Sequence, residues 1–221
     1  DNNHATGGQG GAVDWVASQG HIIDSNFTNN DANYGGALYI GGHASGSVIS
    51  HVLFENNTAV HNGGAMESNA TLVNLTHTRF ITNTAEYGAA LCRESGATGG
   101  FGVNNTFIAN HALIGGAALA WMNVSDITID DYYFYNNTAD VHGGAIFVLE
   151  GSDNCKIYNS VFEGNYVSLG HGGAIDWVAS AGHIENSNFT QNSAVWGGAI
   201  YMGGNSSNSS ITHVYFINNT A

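Results

Sequence analysis

Apolar and polar residues alternate along this chain in short bursts. Ala37-Leu-Tyr39-Ile, Val48-Ile-Ser-His-Val52-Leu-Phe54 and Ile127-Thr-Ile129 put apolar residues, many of them β-branched or aromatic, at alternating positions, and Gly or Asn clusters bound each burst. Period-2 runs of this kind read as strands. No stretch carries the 3.6-residue apolar period of a capped helix. The pattern predicts three short strands per repeat and little or no helix.

The bursts sit on a fixed period. Phe-x-x-Asn recurs at Phe27/Asn30, Phe54/Asn57, Phe80/Asn83, Phe107/Asn110, Phe134/Asn137, Phe162/Asn165, Phe189/Asn192 and Phe216/Asn219. Gly-Gly-Ala recurs at Gly10, Gly35, Gly63, Gly115, Gly143, Gly172 and Gly197, with Gly88-Ala89-Ala90 as a variant copy. The mean step is about 27 residues, the signature of a repeat architecture. The predicted fold is all-β: a right-handed parallel β-helix, a pectin-lyase-like solenoid of about eight coils, each hydrogen-bonded to the next at about 4.8 Å. Residues at one register then stack on themselves. The Phe residues should form an internal aromatic stack. The Asn residues should sit at a corner, in left-handed φ, bonding neighbouring backbone. The Gly pair should permit a tight turn.

A longer repeat overlies the first. Gly10-Gly-Ala-Val-Asp-Trp-Val-Ala-Ser-Gln-Gly-His-Ile returns as Gly172-Gly-Ala-Ile-Asp-Trp-Val-Ala-Ser-Ala-Gly-His-Ile, 162 residues later. Residues 10–59 thus correspond to 172–221, six coils apart. Residues 1–221 form a single solenoid segment, expected to be a piece of a longer repeat protein.

Composition narrows the function. Seventeen acids against three bases (Arg79, Arg93, Lys156) give a net charge of −14. Nucleic acid and anionic membranes need clustered Lys/Arg, so neither is an expected partner. Only 9% of residues are charged and there is no proline, so Gly and Asn make the turns. Cys92 and Cys155 occupy different registers two coils apart and should not pair. No apolar run reaches the 18 or more residues of a membrane-spanning helix.

The alternation of Gly-Gly-Ala-[Ile/Val/Leu] with Phe-x-x-Asn, once per coil over essentially the whole chain, resembles the repeat of chlamydial polymorphic outer-membrane proteins. It resembles more closely the adhesin-like surface proteins of methanogenic archaea, where Asn-Asn-Thr-Ala followed by Gly-Gly-Ala-Ile is common. The resemblance implies a β-helix exported to the cell surface and used for adhesion or as an extended stalk. It implies no particular ligand.

Asp130-Asp131 and Gly170-His171-Gly172 superficially resemble two motifs of polygalacturonases. There the acids lie about one coil before the Gly-His-Gly and an Arg-x-Lys follows. Here 40 residues intervene and no base follows Lys156, so no catalytic residues are assigned. Three residues before each Phe runs a polar row that includes His51 and His77, which could share an ion; a plain polar ladder is the preferred reading, and no metal site or cofactor is assigned. Ca²⁺ at acidic turns lacks the nonapeptide that calcium-binding β-rolls use. Trp15 and Trp177 are candidate sugar-stacking platforms, with core burial as the competing reading. Sequons at Asn26, Asn56, Asn69, Asn74, Asn104, Asn123, Asn136, Asn188, Asn205, Asn208 and Asn218 are candidate glycosylation sites. The sequence thus reads as a non-enzymatic, extracellular structural or adhesive protein of the cell surface, forming a stalk or filament. Its expected partner is itself, by end-to-end continuation or stacking, with host or cell-surface glycans or proteins besides. The alternatives are a carbohydrate-active β-helix enzyme (polysaccharide lyase, hydrolase or tailspike-like) and a glycan-binding module.

Overall fold

The computed structural model describes residues 1–149, 151–178, 181–204 and 206–221. Its strands wind into a parallel β-helix. One turn reads Ile146–Val148, Lys156–Tyr158, Val161–Glu163 and Tyr166–Val167, and each strand pairs in parallel with its counterpart in a neighbouring turn. Stacking the turns yields four sheets, three of eight strands and one of six. We number them first to fourth in the order of that turn. Among the described residues the one helical element is a 3₁₀ turn, Gly42–Ala44.

The hydrophobic pattern predicts three strands per turn, and the structure has a fourth sheet. The fourth sheet, from Asp31–Tyr34 to Tyr166–Val167, escapes the eye because its inward residues are small. Ala59, Ala85, Ala112, Ala139 and Val167 form their own apolar cluster, and the register slips within the pairs that join its longer strands. Alanine carries little strand propensity, so nothing in the sequence marks these residues as a strand.

The turns between strands are sharp because single residues take left-handed φ. Asp24, His51, His77, Asn104, Asp131, Asn159, Asn186 and His213 do so between the second and third sheets, at φ 48–56°. The polar row three residues before each Phe is therefore a corner, filled largely by the short polar residues that tolerate this conformation. Between the third and fourth sheets the left-handed residues are Asn29, Asn56, Thr82, Ala109, Asn136, Gly164, Gln191 and Asn218. These precede the motif Asn, so the left-handed angle lies one residue before the position that the sequence pattern predicts. At the third corner Gly143 has φ 52°, and a Cβ there would stand 2.0 Å from the Ile146 carbonyl oxygen. The fifth copy of this corner is Gly116-Ala117-Ala118, not Gly115-Gly116-Ala117: Gly116 takes the positive φ, and Gly115 ends the strand His111–Gly115.

Freed of the corner, the motif Asn turns its side chain inward. Asn57 Nδ2 donates to Asn83 Oδ1 and to the Phe27 carbonyl, and its backbone N–H donates to the same Asn83 Oδ1. The arrangement repeats at Asn83, Asn110, Asn137, Asn165 and Asn192. Both amide protons and the oxygen are used in each rung, so a buried primary amide is fully satisfied. Alongside, the rings of Phe27 through Phe216 stack at centroid distances of 4.5–5.3 Å. Each such pair adds about 0.5–1.5 kcal/mol beyond burial. Cys92 and Cys155 are buried free thiols.

Asn110→Asp is isosteric but removes both amide donors and sets a carboxylate against the Phe80 carbonyl and Asn137 Oδ1. An uncompensated buried charge costs about 3–5 kcal/mol. Urea unfolding at pH 7 should show a loss of that size, much reduced at pH 4 or below, where the acid takes up a proton.

Candidate functional site

The inner rows repeat one residue type turn after turn, so specific chemistry belongs where the turns differ. That place is the glycine corner, between the fourth and first sheets. Two rows flank it. The residue before the left-handed glycine is Gln9, Tyr34, Asn62, Tyr87, Gly115, His142, His171 and Trp196 in successive turns, paired in register. The fourth residue after it is Asp14, Tyr39, Glu67, Cys92, Ala120, Phe147, Asp176 and Tyr201, central in the strands of the first sheet. Strand alternation points this second row away from the core. It is nevertheless buried from Tyr39 to Asp176, because side chains of the first row fold over it. His142 stacks on Phe147 at 4.8 Å, and His171 meets Tyr201 at 4.3 Å with the rings tilted by 35°.

One part of the corner is acidic. Glu67 is 2% exposed. Burial, then repulsion by Glu94, then a hydrogen bond to Glu94 push its carboxyl from 4.5 up to about 9. Asn62 Nδ2 donates to Glu94 Oε2 at 3.0 Å. At neutral pH Glu67 is a protonated acid, the state a general acid needs, but it is sealed from solvent and no substrate can reach it.

The other part holds His142, His171 and Asp176, with ligand atoms within 4.8 Å of one another. His142 Nδ1 is 2.7 Å from Asp176 Oδ2, and His171 Nδ1 is 3.9 Å from the same oxygen. The Asp176 side chain is fully buried and its Oδ1 has no hydrogen-bond partner. His171 is held between the rings of Tyr201 and Trp196, the latter at 4.9 Å.

The residues singled out from sequence fall elsewhere. Phe and Asn form the inner ladders. The sugar-stacking role for Trp177 is corrected by its burial at 1% exposure: its ring meets Trp121 edge-on at 6.3 Å and lies where a Cβ on Gly182 would be. Trp15, its counterpart, packs over Gly20 in the same way and against the core. The exposed indole is Trp196, at 54%, which the sequence passed over because it stands at another register. His51 and His77 stack at 4.8 Å with parallel rings on the exposed corner. Asp130 lies in the second sheet, accepting from Asn159 Nδ2, and Asp131 is on the next corner. Both are remote in the turn from His171, so no polygalacturonase-like constellation is assembled. Of the sequons, Asn26, Asn56, Asn104, Asn123, Asn136, Asn188, Asn208 and Asn218 are exposed, Asn69 and Asn74 are half-buried, and Asn205 lies outside the described residues.

Residues 131–149 and 186–203 are similar to the Chlamydia polymorphic membrane protein repeat. Each segment opens on the left-handed residue before the Phe strand, runs through the Asn rung and the glycine corner, and contains the following strand of the first sheet. The likeness therefore covers the frame of one turn. No curated protein matches the chain, and no solved structure does.

Glu67 supplies a pH test. Its folded pKa lies above the unfolded one, so both states hold the proton below about 4.5, and unfolding releases it between about 4.5 and 9. Stability should fall across that window by up to about 1.4 kcal/mol per pH unit. Glu67→Gln keeps a neutral donor and removes this slope. Its Tm should exceed the parent's at pH 8.5, by about 2–4 °C for each kcal/mol recovered, and the gap should close toward pH 5.

Proposed function

We propose that this chain is a non-enzymatic structural and adhesive repeat of a cell surface, an extended stalk or filament segment exposed outside the cell. The observation that carries this reading is the unbroken pair of inner ladders. From Phe27 to Phe216 and from Asn30 to Asn219 each turn uses its interior to hold the next one. The likeness to polymorphic membrane protein repeats supports a surface location. The finer kinship to archaeal adhesin-like proteins rests on the wording Asn-Asn-Thr-Ala and Gly-Gly-Ala-Ile alone.

A solenoid also favours partnership with itself. Each turn offers its strand edges to the next, so a further coil, from the same polypeptide or a second copy, would extend the same ladders. Exposed sequons along the corners suit a glycosylated outer face. A second reading, glycan binding, is favoured by one observation, the open Trp196 ring beside His171.

Surface labelling decides the main claim. Immunogold on intact cells that make the parent protein should decorate the exterior, and cryo-electron microscopy of that material should show rods with a layer spacing near 4.8 Å. Label confined to the cell interior would overturn the reading, as would release of reducing ends when the purified chain is incubated with a polysaccharide panel. On a glycan array, Trp196→Ala should abolish any binding if the second reading holds.

A further inference from the structure

We propose that His142, His171 and Asp176 form a binding site for a divalent transition cation of the zinc type, held at the glycine corner with one position open to solvent. Two imidazoles and a carboxylate are a donor set that zinc accepts, with a fourth position left for water or an outside ligand. Zinc bonds of about 2.0–2.1 Å in a tetrahedron separate the ligand atoms by about 3.3 Å. The two separations, 2.7 and 3.9 Å, bracket that value, so a small rotation of the two rings equalises them. Each histidine side chain is 30% exposed while the aspartate is fully buried, which gives the site a floor and an open mouth.

Burial of Asp176 is the independent observation. A carboxylate without solvent needs compensation from nearby charge or several donors, yet Oδ1 has no hydrogen-bond partner. Its row neighbours are Phe147 and Tyr201. Every ion pair among the described residues joins a carboxylate to a histidine, so Lys and Arg supply none of the balancing charge here. A bound cation would. The rings are also already oriented: Phe147 backs His142, and Tyr201 and Trp196 clasp His171.

The sequence adds a natural control. The two copies of the 13-residue block are nearly identical, but the residue before them changes from Gln9 to His171. A second ligand, His142, comes from the preceding turn, so the ion would fasten one coil to the next.

The test is titration of the whole chain, first stripped with a chelator, with Zn²⁺ by calorimetry and with Co²⁺ by visible absorption. One equivalent should bind saturably, Co²⁺ should give the intense bands of a tetrahedral site, and Zn²⁺ should raise the Tm. His171→Gln, which restores the residue found at position 9, should keep the fold, as circular dichroism would verify. It should also weaken binding by more than the roughly 10–100-fold that loss of an outer-sphere partner costs. Asp176→Asn should do the same, and a His51→Gln/His77→Gln double variant should bind like the parent. Three results would overturn the site: no saturable binding, unchanged binding in the folded His171→Gln protein, or loss of binding in the double variant.

Discussion

The side-chain amide ladder is the constraint on which the rest depends. Where the chain leaves the third sheet it must turn within one residue, and the backbone N–H of the motif Asn is buried just past the end of the strand. The asparagine of the following turn answers it: its oxygen takes that N–H, while one amide proton of each Asn is given to a Phe carbonyl of the turn before. Aspartate lacks the protons and glutamine is a methylene too long. Because each rung needs the next at the same height, the ladder fixes register, and register places the Phe rings face to face. It also sets the left-handed residue one position earlier, which makes the turn tight enough for the small fourth sheet to lie against its neighbours.

This frame leaves the corner rows free to vary. Within the ladders a substitution disturbs two neighbours at once, but at the glycine corner a side chain meets only what the adjoining turns offer. There, tyrosine, glutamate, cysteine, phenylalanine, histidine and aspartate follow one another on identical backbone. Some of these neighbourhoods are sealed, such as that of Glu67, which is 2% exposed. Others are open, such as His171 with Trp196.

The coil period and the inner rows were legible because they depend on identity: Phe stacks on Phe and Asn bonds Asn, so the same letter returns at each turn. The fourth sheet was not, since alanine rows carry no alternation and their register slips. The left-handed residue beside the motif Asn was hidden because Asn29, Thr82, Ala109 and Gln191 share no side-chain chemistry, only a φ angle. The histidine cluster was half legible. His142 and His171 could be seen to hold the same place before their glycines, but nothing in the letters says that the residue five further on, Asp176, lies under both. That contact exists only because the glycine corner folds one row over the other.

The amide ladder has a direction. Every backbone N–H of the motif Asn points to the oxygen of the following turn, never the preceding one, from Asn3 to Asn219. The ladder is thus a vector: its low-numbered face presents an acceptor and its high-numbered face presents donors. Two such faces of the same kind cannot satisfy each other. Any assembly that extends this ladder must run head to tail, a heterologous contact that propagates instead of closing on a twofold axis. A fibre built this way would be polar, with chemically distinct ends, so growth and attachment could be assigned to opposite tips of one rod.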